Sequence, residues 1–116
     1  MRGDDVEIIE GGRGSGRTKA LVLGLEERSI IIVHTVAMVD YVRRMIYDLR
    51  GAYFARTCKV LYLSGVSDAR RQLAGVDRPI AIDHAFLDYA DPGLAAAVQE
   101  AKDRAEWRMD VAANRG

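Results

Sequence analysis

Four glycines between two apolar segments place the strongest constraint on how this chain folds. Gly11, Gly12, Gly14 and Gly16 lie within six positions, after the apolar run at 6–9 and before the apolar run at 20–25. Because glycine has no Cβ, it adopts backbone conformations that other residues avoid, and a cluster of glycines interrupts regular structure. We therefore predict a strand at 6–9, a glycine loop, and a helix over about 17–27.

The same loop matches most of a pattern that holds phosphate. In the pattern G-x-x-x-x-G-K-[ST], Gly11, Gly16 and Thr18 fit, and Arg17 stands where the pattern has lysine. Such a loop directs several backbone N–H groups at one anion, and the positive end of the following helix adds to the attraction. Arg17 would then lie over the outer phosphates, and the Thr18 hydroxyl would bind Mg²⁺. The alternative interpretation is a flexible linker or a tight turn.

Length and composition indicate one folded domain over residues 1–116, because 49% of the residues are apolar. Seventeen basic residues balance seventeen acidic ones, so the overall charge does not support nucleic acid or a membrane as a partner. Cys58 is the single cysteine, and no segment resembles a signal peptide or a membrane span. We expect a cytoplasmic protein.

Strands and helices alternate along the rest of the chain. The β-branched run at 29–34 is typical of a strand covered on both faces, and further strands are predicted at 59–63 and 80–82. Helices are predicted at 36–49, at 68–74 and at about 92–112, where Asp91 and Pro92 form a start signal. Helical crossovers between strands predict a three-layer α/β/α domain with a mostly parallel four-stranded sheet.

Ligands of such sheets bind beyond the carboxyl ends of the strands. Asp83 follows the apolar segment at 79–82 and is suited to hold Mg²⁺ opposite the Thr18 hydroxyl. The alternative role for Asp83 is a turn or a helix cap. Asp88 and Asp91 are further carboxylates nearby.

Three segments together resemble a known protein family. Residues 11–18, Gly-Gly-Arg-Gly-Ser-Gly-Arg-Thr, closely resemble the first nucleotide motif of phage terminase large-subunit ATPases, G-G-R-G-S-G-K-[ST]. Residues 31–35 look like the second conserved block of terminases and related helicase-type P-loop ATPases. Residues 80–85 are similar to their Walker B segment, except that His84 replaces the glutamate. The resemblance covers about residues 6–90, and the glycine loop is its specific part.

The resemblance implies ATP and Mg²⁺ as ligands and a role for each matching residue. Thr18 and Asp83 would hold the metal. Arg13 would sense phosphate or stabilise the transition state, and His84 would occupy the position of the residue that orients water. The phosphate-binding residues would be Gly11, Gly12, Gly14, Ser15, Gly16, Arg17 and Thr18.

The resemblance also bears on the sheet. The family has a further strand after Walker B, which lies between the Walker A and Walker B strands, whereas this sequence offers one helix after Leu87. We therefore predict the strand order 1-4-2-3, with the fourth strand directly beside the first.

Two functions are consistent with these observations. The first is a minimal P-loop domain of phage type that binds ATP and hydrolyses it weakly or with the help of a partner. The second is a catalytically inactive P-loop module that acts in protein interaction or regulation, through the C-terminal helix or the face of Arg43 and Arg44. A protein partner or a homo-oligomer fits either function.

Overall fold

The computed structural model describes residues 15–115. The predicted first strand at 6–9 lies outside these residues, as do Gly11, Gly12, Arg13 and Gly14. The described elements, in chain order, are α1 Ser15–Leu23, β1 Ile30–Val33, α2 Val36–Arg50, α3 Ala52–Thr57, β2 Lys59–Tyr62, α4 Val66–Gln72, β3 Ile80–Ile82, α5 His84–Tyr89 and α6 Pro92–Arg115.

The three described strands form one parallel sheet in the order β2-β1-β3. In the register of the sheet, Ile31 of β1 lies between Val60 of β2 and Ala81 of β3. All four residues of β1 are buried, as the β-branched run predicts for a central strand. The predicted position of this strand between the next two strands of the chain is confirmed.

Helices pack on both faces of the sheet because alternate residues of β1 point to opposite sides. Ile30 and Ile32 belong to a core formed with α4, α5 and α6. Ile31 and Val33 belong to a second core formed with α1, α2 and α3. The predicted α/β class is therefore confirmed. Each fully buried isoleucine contributes about 1.5–3 kcal/mol, so β1 is the chief stabilising strand.

Arg50 fixes the position of α1 on the sheet. Its Nη1 donates hydrogen bonds to the carbonyl oxygens of Val22, Leu23 and Leu25, at 2.9, 3.2 and 2.9 Å. The last carbonyls of a helix have no partner within the helix, so this guanidinium caps the carboxyl end of α1. It also lies over the Phe54 ring, with Cζ 3.8 Å from the ring centroid. Arg50 therefore helps to fix the orientation of α1 through contacts at the carboxyl end of that helix.

The two long helices begin as the sequence predicts. The Thr35 hydroxyl accepts a hydrogen bond from the Met38 N–H and caps the start of α2, and Gly51, with a φ of 90°, follows its last residue. The Asp91 carboxylate accepts from the N–H groups of Gly93 and Leu94 and caps α6. α6 extends beyond the predicted end near 112, to Arg115.

Other boundaries differ from the predictions. α1, described over Ser15–Leu23, contains Ser15 and Gly16, which were predicted to lie in the loop, and it ends before Gly24, which has a poor helix propensity. α4 begins at Val66, so Ser67 lies inside the helix and does not cap it. Two helices of six residues, α3 and α5, were not predicted because they are too short to show helical periodicity.

Candidate functional site

The first turn of α1 meets the carboxyl end of β3 through two buried polar side chains. The Thr18 hydroxyl donates a hydrogen bond of 3.1 Å to Oδ1 of Asp83, across 65 positions of sequence. Thr18 is 3% exposed and Asp83 is 1% exposed. These are the two residues for which the sequence predicted a shared metal, and the fold brings them into direct contact.

Both oxygens of the Asp83 carboxyl group have partners. Oδ2 accepts a hydrogen bond of 3.2 Å from the Ala85 N–H and thereby caps α5. The backbone N–H of Asp83 donates to the Ile32 carbonyl at 3.0 Å and continues the ladder between β3 and β1. The cap role considered as the alternative for Asp83 is therefore present, and it coexists with the contact to Thr18.

A second contact joins α1 to α5 at the surface. Nη2 of Arg17 lies 3.0 Å from Oδ2 of Asp88, and the two side chains are 56% and 51% exposed. Thr18 and Arg17 are neighbours in the first turn of α1, whereas Asp83 directly precedes α5 and Asp88 lies in its last turn. Two side-chain hydrogen bonds therefore connect the first turn of α1 with Asp83 and with α5.

Two histidines lie at the same edge of the sheet. His34 follows β1, is half-buried, and packs against Tyr89 with ring centroids 5.8 Å apart and ring planes inclined by 35°. His84 is half-buried and is the first residue of α5, directly after Asp83. Asp83, Thr18, Arg17 and the two histidines are therefore all located at the end of the sheet where its parallel strands terminate.

The described part of the predicted phosphate loop forms the start of α1. Ser15 is the first residue of the helix, and Gly16 is exposed, with open space beside its α-carbon. The backbone of the first turn of a helix carries N–H groups without helical partners, together with a partial positive charge. Among the described residues, the Gly16 backbone is therefore uncovered on the side where a Cβ would project.

The end of β2 serves a structural purpose. The Asp68 carboxylate accepts a hydrogen bond of 3.0 Å from the Ser64 N–H and another of 3.2 Å from the Gln72 amide, and it pairs with Arg71. The Ser64 hydrogen bond, then the Gln72 hydrogen bond and the Arg71 charge, lower the pKa of Asp68 below its usual value. This carboxylate fastens the turn between β2 and α4.

Sequence reasoning did not assign partners to Arg17 or His34. The signal for Asp88 was its position five residues after Asp83, which becomes informative only when α5 is known to be a helix. Nothing in the sequence indicated that Tyr89 contributes to this site, since scattered exposed tyrosines are common at protein surfaces.

In comparisons of sequence and structure, no protein family, curated protein or solved structure matches the chain. Among residues 15–115, no three His, Cys, Asp or Glu side chains converge on a metal-sized site. Over the same residues, none of the helices has both the length and the apolar character that crossing a bilayer requires.

Proposed function

We propose that this chain is a P-loop nucleotide-binding domain that takes ATP with Mg²⁺ and hydrolyses it weakly or with the help of a partner. The observation that carries the proposal is the buried hydrogen bond between Thr18 and Asp83. The hydroxyl position was assigned from the glycine pattern and the carboxylate position from a separate strand. Their contact in the fold is what a phosphate loop and its companion strand require.

The two side chains fit a magnesium ion. Mg²⁺ prefers oxygen ligands in an octahedron, and two oxygens bound side by side at its usual distance of 2.0–2.1 Å lie about 2.9 Å apart. Oγ1 of Thr18 and Oδ1 of Asp83 are 3.1 Å apart. A P-loop metal takes its other ligands from phosphate and water, so two protein oxygens suffice. The ion would neutralise phosphate charge, while Thr18 and Asp83 hold it at the edge of the sheet.

In this proposal the phosphates lie before the amino end of α1. Backbone N–H groups of residues 14–18 bind them, together with the positive end of the helix. Arg17 supplies the cation that lysine gives in the family pattern, with a planar group that can form two parallel hydrogen bonds. Arg13 stabilises charge that develops in the transition state. His84 stands where the family has a carboxylate, and a neutral imidazole has no negative charge with which to orient the attacking water, so we expect turnover to be slow.

The proposal includes a fourth strand at 6–9 on the outer edge of β3, which completes the order 1-4-2-3. Among the described residues β3 pairs only with β1, so its other edge is available. A groove between α1 and β3 is lined by Ala20 and Leu21 of α1, by Gly24 just after it, and by Ile80 and Ala81 of β3. A strand in this groove would lead directly into the loop before Ser15.

Calorimetry tests the proposal with Mg·ATP, Mg·ADP and Mg·GTP added to the full chain. Arg17→Ala should weaken Mg·ATP binding about 10- to 100-fold, because a hydrogen bond to a charged group contributes about 1.5–3 kcal/mol. Arg44→Ala is the matched control, since Arg44 is exposed on α2. Equal affinity of Arg17→Ala and the unmodified chain for Mg·ATP would refute the proposal.

The second candidate is an inactive module that acts through a partner. Five of the exposed large apolar side chains lie on α2 and α3: Val36, Tyr41, Tyr47, Leu49 and Tyr53. Tyrosine and arginine, which are enriched at protein interfaces, are both frequent on these two helices. A measured ATP turnover that Asp83→Ala abolishes would exclude this candidate.

A further inference from the structure

α5 is attached to α1 by one permanent and one exchangeable contact. At its beginning, Asp83 is buried and hydrogen-bonded to Thr18, and Phe86 is 2% exposed in the core. Near its end, Asp88 reaches Arg17 across a surface where both side chains are about half exposed. The first contact cannot open without disrupting the core, whereas the second can open by side-chain rotation.

The exchangeable contact involves Arg17, the cation that binds phosphate in the proposed function. While Arg17 is paired with Asp88, part of its positive charge is neutralised and its guanidinium is directed towards α5. A polyphosphate that approaches α1 must draw Arg17 away from this partner.

We propose that Asp88 is an autoinhibitory counter-ion, which competes with the outer phosphates of a nucleotide for Arg17. This inference rests on the proposed function, and it names a regulatory contact of the same site. Phosphate binding exchanges the carboxylate of Asp88 for phosphate oxygens on Arg17. Asp88, near the end of α5, is then released from α1.

The balance of forces makes this exchange feasible. An exposed ion pair contributes little to stability because water and salt screen it. A phosphate chain carries more than one charge and accepts two hydrogen bonds from one guanidinium. A nucleoside triphosphate can therefore displace Asp88, whereas AMP carries no outer phosphates to do so.

The decisive variant is Asp88→Asn, measured by calorimetry with Mg·ATP at low ionic strength. Its affinity for Mg·ATP should rise about two- to five-fold, the range that an exposed ion pair supplies. Asp48→Asn is the matched control, because it removes the same charge from an exposed position. Asp48 lies near the end of α2, and this helix begins beside the carboxyl end of β1 and runs away from it. The control should change the affinity by less than about 1.5-fold, since surface charges at a distance are screened.

Two further measurements identify Arg17 as the group through which Asp88 acts. The gain from Asp88→Asn should disappear in an Arg17→Ala background, and it should be absent with AMP. Asp88→Ser should behave like Asp88→Asn, which guards against an effect of the amide itself. A thermal melt should show each variant folded, because Asp88 lies half exposed.

The outcomes separate this inference from the function on which it rests. If the unmodified chain binds Mg·ATP and Asp88→Asn binds it equally or more weakly, the inference is wrong and the proposed function stands. If neither protein binds Mg·ATP, the proposed function fails and the inference fails with it. Tighter binding by Asp88→Asn that persists without Arg17 would also overturn the inference.

Discussion

Replacing Thr18 with valine tests whether the contact at the centre of the site also stabilises the fold. Valine has nearly the shape of threonine but lacks the hydroxyl, so the substitution removes one hydrogen bond with little change in packing. Oδ1 of Asp83 then remains buried without the 3.1 Å partner. Leaving a buried acceptor unsatisfied costs about 1–3 kcal/mol. For a domain of this size, the melting temperature should fall by about 4 °C for each kcal/mol.

Thr18→Ser is the matched control because it keeps the hydroxyl and removes the methyl group. Deleting one buried methyl group costs about 0.8 kcal/mol, so the serine variant should be the more stable of the two. Urea unfolding should be followed by circular dichroism, since Trp107 is 65% exposed and reports poorly on the core. The buffer should contain EDTA and no nucleotide, because a bound ligand would add its own stabilisation.

This reasoning would be refuted if the Thr18→Val variant had the same free energy of unfolding as the unmodified chain and the same slope of that free energy against urea concentration. Such a result would mean that the hydroxyl contributes nothing to folding. The pair should also show coupling: in an Asp83→Ala background, Thr18→Val should cost less than it does alone.

Three further predictions concern other parts of the fold. Arg50→Lys should lower the free energy of unfolding by about 1–2 kcal/mol, because an ammonium cannot reproduce the planar group that caps α1, whereas Arg44→Lys should leave it unchanged. Asp68→Asn should destabilise the chain at neutral pH in urea unfolding. Because the folded-state pKa of Asp68 is lowered from 3.8, this difference should shrink as the pH falls below about 4. Replacing Ile8 and Ile9 together with aspartate should cost more than about 3 kcal/mol in the same assay if residues 6–9 form the proposed strand, and nothing if they do not pack.

The parts of the fold that periodic burial encodes could be predicted from the sequence. The four buried residues of β1 are all β-branched, and the apolar spacing and caps of α2 and α6 mark those helices directly. The residues that a helix or strand buries recur at a fixed interval along the chain, so this periodicity can be recognised in a single sequence. The short helices α3 and α5 complete fewer than two turns and leave no such pattern.

Only some of the contacts in the site could be predicted from the sequence. Thr18 and Asp83 were predicted to share a metal ion, which placed them near each other, whereas their direct hydrogen bond was not predicted. Arg17 with Asp88 could not be predicted, because both residues are exposed and nothing in the spacing distinguishes them from other surface charges. The same holds for Arg50, whose partners are backbone carbonyls, which every residue has.

Asp83→Asn separates the structural role of this side chain from its proposed role with metal. The amide oxygen can accept from the Ala85 N–H, and the amide nitrogen can donate to the Thr18 hydroxyl, so both contacts survive. The free energy of unfolding should change by less than about 1 kcal/mol, whereas Asp83→Ala, which loses both contacts, should cost about 2–4 kcal/mol. A neutral amide binds Mg²⁺ poorly, so Asp83→Asn should remove the magnesium dependence of ATP binding. Unchanged magnesium-dependent binding in a folded Asp83→Asn protein would limit Asp83 to its two structural contacts, with Thr18 and with the Ala85 N–H.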